Sequence, residues 1–233
     1  MPEQFFIRIN KSDPRYNAIQ QRMLALGAQS GTISKSTIRK LYYQGGGANR
    51  TGQTTVQNYS RMVQDVMQRQ NTLPVQVIRQ TSQQWLDIAL NEVAATMAST
   101  PMAFIHFRRV NGVSKKTRLY IPANLARVDI FMDALWSLDG LTGLKVAGFE
   151  DAQNRSDVIV AWFQHSQHAK AVGAEFDRIC DNNCFSGVYP PGSRPCSGAG
   201  RCGWSIEEEG FSVGTESTEY LAHWWTSIGG RVT

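Results

Sequence analysis

Apolar residues recur at helical spacing early in the chain, first as Ile19, Met23, Leu24 and Leu26 separated by Gln and Arg, then as Tyr59, Met62, Val63, Val66 and Met67. Ser12, Asp13 and Pro14 supply the start signal of the first of these helices. Residues 5–9 form a short strand-like run. After Pro74 the spacing predicts a further helix that carries Trp85, Ile88, Ala89, Val93 and Met97 on one face, with Thr81 or Ser82 as its N-cap. Beyond Pro101 the pattern changes, and strands are expected at residues 102–108, 117–121, 144–149 and 158–163, with a helix over 125–138 between the second and third. A His- and Ala-containing helix then runs to about Arg178, and residues 180–203, with Pro190, Pro191 and Pro195, read as loop. A last helix over 217–228 carries Tyr220, Leu221, Trp224 and Trp225, aromatics suited to sealing a core. The expected fold is α+β, an antiparallel or mixed sheet flanked by helices. Residues 1–100 form a basic, mostly helical front, packed with residues 101–233 into one globular unit.

Composition fits that picture. The 233 residues are 42% hydrophobic, enough for a buried core. No apolar run reaches the roughly 18 residues of a membrane helix, and residues 1–12 lack a signal-peptide core, so a soluble chain without a cleaved leader is expected. Charge is uneven: residues 1–80 hold 11 Lys+Arg against 3 Asp+Glu, and residues 1–84 hold 14 Gln. A basic front suits phosphate, whatever molecule carries it. Nucleic acid is not the expected carrier, because no aromatic-basic signature exists beyond Tyr42-Tyr43 beside Lys40.

The familiar catalytic strings are absent. Gly45, Gly46 and Gly47 lack the Gly-Lys-Ser/Thr ending of a nucleotide loop and read as a flexible connection. Cys180, Cys184, Cys196 and Cys202 follow no paired zinc spacing, and their local clustering suits a reducing compartment. No metal or organic cofactor is expected. Neither a nucleophile-elbow serine nor a deaminase motif occurs, and no pattern selects one thiol to act with His106 or His223.

A stretch of cations is more informative. Strand alternation puts Arg118 and Tyr120 on one side of their strand and Leu119 and Ile121 on the other. Lys145 interrupts an apolar strand, and Arg155 stands at the entrance of another, where burial without a partner is costly. If these strands are neighbours, three cations converge on a site for an anion such as phosphate. The plain alternative is that Arg155 and Asp157 pair at the surface while Lys145 reaches water.

The series Arg118-Leu119-Tyr120-Ile121, a helix, Gly143-Leu144-Lys145-Val146, and residues 154–163 (NRSDVIVAWF), followed by GRCGWSIEE over 200–208 and GFSVG over 210–214, resembles the HopA class of bacterial type III effectors. A similar domain occurs in lyases of class V lanthipeptide and thioamide-peptide pathways. The likeness covers about residues 100–230, and the class is in turn similar to phosphothreonine lyases. It implies an α+β fold like theirs, a phosphorylated protein or peptide as partner, and removal of phosphate by β-elimination. Lys145 and Arg155 correspond to phosphate-holding positions, with Arg118 and Tyr120 on the strand where those lyases carry a Lys base and a His acid. An Arg at 118 suits binding better than proton abstraction, since a guanidinium does not deprotonate. The catalytic candidates are therefore His106, Tyr120 and Lys145, with His106 the first choice of base and otherwise a core histidine. Among Glu207, Glu208 and Glu209, otherwise a solvated turn, one carboxylate could orient an Arg or act as base. The resemblance further implies either type III secretion into a plant cell, with a dedicated chaperone or a host protein as partner, or residence in the bacterial cytoplasm beside a peptide kinase. The acid-poor, Gln- and Ser-containing N-terminus leans to the injected branch. A non-enzymatic effector using the same pocket to bind a partner is the competing expectation.

Overall fold

The computed structural model describes residues 9–28, 30–44, 54–70, 74–110, 117–198, 200–206 and 212–233. The strand expected from residue 5 and the triple-glycine loop lie outside these, apart from Ile9. Two helices open the described chain, α1 (Arg15–Gly27) and, after the short β1 (Thr32–Ile33), α2 (Lys35–Gln44). Helix α3 (Val56–Arg69) starts where the Thr55 side chain accepts the Asn58 N–H, and it buries Tyr59, Val63, Val66 and Met67.

Next come β2 (Val75–Gln80) and β3 (Trp85–Asp87), followed by α4 (Val93–Ser99). The single helix expected after Pro74 is thus corrected to an antiparallel hairpin and a short helix. Its apparent 3.6-residue period joins residues of two elements, the exposed Trp85 of β3 and the buried Val93 and Met97 of α4. Thr81 does not cap a helix. Its Oγ1 accepts the N–H groups of Gln83 and Gln84 and closes the hairpin turn, a local bond that competes with helix formation.

The rest of the chain supplies β4 (Phe104–Arg109), β5 (Thr117–Ile121), α5 (Val128–Trp136), β6 (Leu141–Val146), α6 (Phe149–Asn154), β7 (Ile159–Phe163), α7 (Ser166–Ile179), β8 (Arg194–Pro195), β9 (Gly203–Ile206), α8 (Val213–Ser227) and β10 (Arg231–Val232). The strand expected at 144–149 begins earlier and yields to α6, because Gly148 turns the chain. Helix α8 starts four residues before its expected position, where Ser212 accepts the Thr215 N–H.

Eight strands form one antiparallel sheet in the order β3-β2-β4-β6-β7-β5-β9-β8, while β1 and β10 pair separately in parallel. One face of the sheet, with Ile105, Phe107, Leu119, Leu144, Val146, Ile159 and Ala161, is packed under α3, α5 and α7. The opposite face is roofed over its β7 and β5 portion, where Tyr120, Val160 and Trp162 share a second core with Tyr16, Ile19, Tyr42, Leu221 and Trp225 of α1, α2 and α8. Burial on both faces explains the unbroken apolar run of β7. Beside the roof, the same face of β4 and β6 carries Phe104, His106, Arg108 and Lys145 outside that core. Among the described residues no helix is long and apolar enough to cross a membrane.

Candidate functional site

The edge of the helical roof makes a step on the sheet, and a cavity of about 400 Å³ occupies it. Register fixes what lines it. His106 pairs with Lys145, Lys145 with Val160, and Val160 with Tyr120, so these four side chains form a row across β4, β6, β7 and β5. One step along lies a parallel row of Arg108, Gly143, Trp162 and Arg118. At roughly 4.8 Å per strand, Lys145 and Tyr120 stand about 10 Å apart at their Cα atoms, with the small Val160 between them. Gly143 lets β6 approach β4 closely, since a Cβ there would come within 2.7 Å of the Phe107 carbonyl oxygen.

Arg118, Tyr120, Lys145, Arg155 and His106 all line this one cavity. Arg155 is nonetheless arranged differently from a bare phosphate clamp. Its Nε and Nη2 donate to Asp157 Oδ1 and Oδ2 at 2.8 and 3.0 Å, and Asp151 lies 4.0 Å from Nη1. Burial alone would raise the Asp157 carboxyl, but Arg155 outweighs it and holds that carboxyl below the ordinary range. The fork is inward and shielded, not a surface pair. Its guanidinium stacks on the Tyr43 ring at 3.7 Å and shares the Phe104 ring with Lys145, at 4.7 and 4.3 Å.

Lys145 has a different environment. Among the described residues no carboxylate lies within 4 Å of its ammonium. Burial, opposed by Asp157 and reinforced by the positive charges of Arg155 and Arg118, pushes its pKa down to about 7. A lysine so placed gains and loses its proton near neutral pH. Tyr120 is 3% exposed and its hydroxyl lies 3.1 Å from Ser205 Oγ; burial, opposed by Arg118, raises the phenol, so it stays a hydrogen donor.

His106 is held between rings, 5.1 Å from Trp85 and 5.8 Å from Trp162, and its Nε2 donates to Gln80 Oε1 at 2.6 Å. Sandwiching and 3% exposure orient it more than they free it. Arg108 and Arg118 stand over the two outer tryptophans, each 5.8 Å from the ring centroid. Glu207, Glu208 and Glu209 lie outside the described residues.

Several lining residues escape sequence reasoning. Arg108 follows Phe104 and His106 in alternation, a period-two signal for a shared face. Arg39 and Tyr43 come from α2, and their sequence clues are the basic cluster around Lys35, Arg39 and Lys40 and the Tyr42-Tyr43 pair beside it. Nothing local points to Trp85, which the helical reading misplaces.

The cysteines lie apart from this cavity. All four are free thiols, and burial pushes Cys180 up to about 11 and Cys196 up to about 12, so these two stay protonated and unreactive at neutral pH. Among the described residues no group of three or more His, Cys, Asp or Glu is placed to hold a metal ion.

The Lys145 environment predicts a cost in stability. Its folded pKa is depressed, so the unfolded chain binds the extra proton between pH 7 and 10.5, and stability rises with pH across that window. Replacement by an isosteric apolar side chain, Lys145→Met, is expected to stabilise the fold by about 2 kcal/mol below pH 7, allowing for screening. The gain should shrink as pH climbs from 7 towards 10.5. Thermal melts of both proteins at pH 6 and pH 10 check this.

No protein-family model matches the chain, and no curated protein matches it. Two solved structures are similar. One is an effector protein from Pseudomonas syringae pv. syringae strain 61, with a TM-score of 0.65 at 14% identity, covering 95% of this chain and 90% of that one. The other is an effector protein from Pseudomonas syringae pv. tomato strain DC3000, with a TM-score of 0.65 at 15% identity, covering 92% of this chain and 87% of that one. The shared α+β fold therefore extends over nearly the whole chain, front included.

Proposed function

We propose that this chain is an effector-like protein that recognises a phosphorylated serine or threonine side chain of a polypeptide and eliminates its phosphate. The observation that carries the reading is Lys145, a half-buried amine with its pKa near 7, set in a cavity whose other cations are guanidinium groups. Arg118 and Arg108, with the Nη1 side of Arg155, supply donors for the phosphate oxygens. Unprotonated Lys145 takes the Cα proton; the Cα–H pair becomes the Cα=Cβ bond, the Cβ–O bond breaks, and phosphate departs with a proton donated at its bridging oxygen. Tyr120 is the donor on the same face as Lys145. Water is not consumed, and the product is a dehydroamino acid.

His106 fits this scheme as a positioning group for Trp85 and Trp162 in place of the base expected from sequence. The raised phenol of Tyr120 is the observation that favours a second reading, in which the same pocket holds a phosphorylated host or partner protein without turnover. Both readings accord with the effector proteins whose fold the chain shares, and with delivery into a host cell by type III secretion. The bacterial cytoplasm is the alternative setting.

Both readings require the arginines to hold phosphate. Arg118→Ala is expected to weaken binding of a phosphothreonine peptide by about 30-fold, the loss of one charge-assisted pair. Titration calorimetry with that peptide and its unphosphorylated twin measures it. Unchanged affinity in the variant removes Arg118 from the site.

A further inference from the structure

Beside the cavity just described lies a second, larger one of about 630 Å³, open along the surface between α2 and α6. Arg39, Tyr43 and Arg155 line both, so the two are contiguous. From the polypeptide-substrate reading of the first cavity, on which this inference rests, we infer that the second is the channel for the chain flanking the phosphorylated residue, and that it selects a segment with an acidic side chain about one to three residues away.

The charges of the channel make the choice. Its α6 wall carries Glu150 and Asp151, both in the first turn, where the helix dipole favours carboxylates, and Asp151 also faces Arg155. Asp151 thus has a partner within the fold, which leaves the exposed Glu150 as a single carboxylate against the two cations of the opposite wall. The α2 wall carries Arg39 and Lys40, both exposed, and neither has a carboxylate partner among the described residues. Unmatched charge on the channel is therefore mainly positive. Met102, 63% exposed, offers an apolar contact in the same channel. An extended segment advances roughly 3.3 Å per residue, so a side chain one to three positions from the phosphorylated one reaches no further than about 10 Å from it.

The test uses the full chain and two labelled phosphothreonine peptides of equal length, one with Asp and one with Lys at the positions on either side. Inorganic phosphate serves as competitor, and binding is followed by fluorescence anisotropy. The acidic peptide is expected to bind at least tenfold tighter. Lys40→Glu should cut that ratio about fivefold without altering the phosphate concentration that displaces label, whereas Lys170→Glu, on the exposed side of α7 with the same change in net charge, should leave the ratio near its original value. Equal affinities, or a ratio that Lys40→Glu does not move more than Lys170→Glu does, overturn the channel while phosphate displacement leaves the first cavity standing. If neither peptide nor phosphate binds, the first cavity's reading falls and the channel falls with it.

Discussion

Replacing Lys145 by Met is expected to lower the rate of phosphate elimination from a phosphothreonine peptide by at least ~10³-fold, the scale of losing a positioned general base. The same side chain sets the pH profile. With its pKa near 7 and its unprotonated form reactive, kcat/KM should rise through pH 7, level off above it, and fall about tenfold per unit below it. Because the variant is expected to be no less stable than the parent at any pH between 6 and 10, loss of activity cannot be assigned to unfolding. A deuterium on the substrate Cα should slow the parent protein, since that is the proton Lys145 is proposed to remove. A rate that Lys145→Met leaves within tenfold of the parent would exclude this residue as the base.

Asp157→Ala is expected to destabilise the fold by about 3–5 kcal/mol, the cost of leaving a shielded guanidinium without its forked partner. Asp157 is 4% exposed, and Arg155 would keep its stack on Tyr43 and Phe104 but lose both charge-assisted bonds. The effect should be visible as a fall in the urea midpoint with an unchanged slope. Asp157→Asn, which keeps one acceptor, should lose less. A loss below about 1 kcal/mol for the alanine variant would mean that water enters and solvates Arg155.

Much of the site could be anticipated because sheet geometry converts short-range pattern into position. Arg118 and Tyr120 alternate with Leu119 and Ile121, and Lys145 breaks an apolar strand, so each strand announces which side carries charge. That β5 and β6 lie either side of β7 is a matter of topology, and the three cations meet in one cavity because of it. Residues supplied from far along the chain were hidden. Tyr43 reaches Arg155 across more than a hundred residues of sequence, and no local spacing encodes that contact. The depth of the Arg155–Asp157 fork is illegible in the sequence for another reason. Two oppositely charged residues two positions apart resemble a solvated pair unless the layer above is known, and here α2 supplies the aromatic ring that shields them. The hairpin of β2 and β3 is hidden in the sequence because an exposed Trp85 and a buried Val93 mimic one helical face.

The row of Lys145 and Tyr120, beside the arginines, is proposed to break a carbon–oxygen bond and not a phosphorus–oxygen bond. Incubation of the full chain with a phosphothreonine peptide in ¹⁸O-labelled water, followed by mass spectrometry of both products, tests it most directly. The expected products are a peptide lighter by one phosphoric acid, carrying a double bond, and released phosphate without label from water. A peptide that regains its hydroxyl together with labelled phosphate, or one that keeps its phosphate throughout, would contradict it.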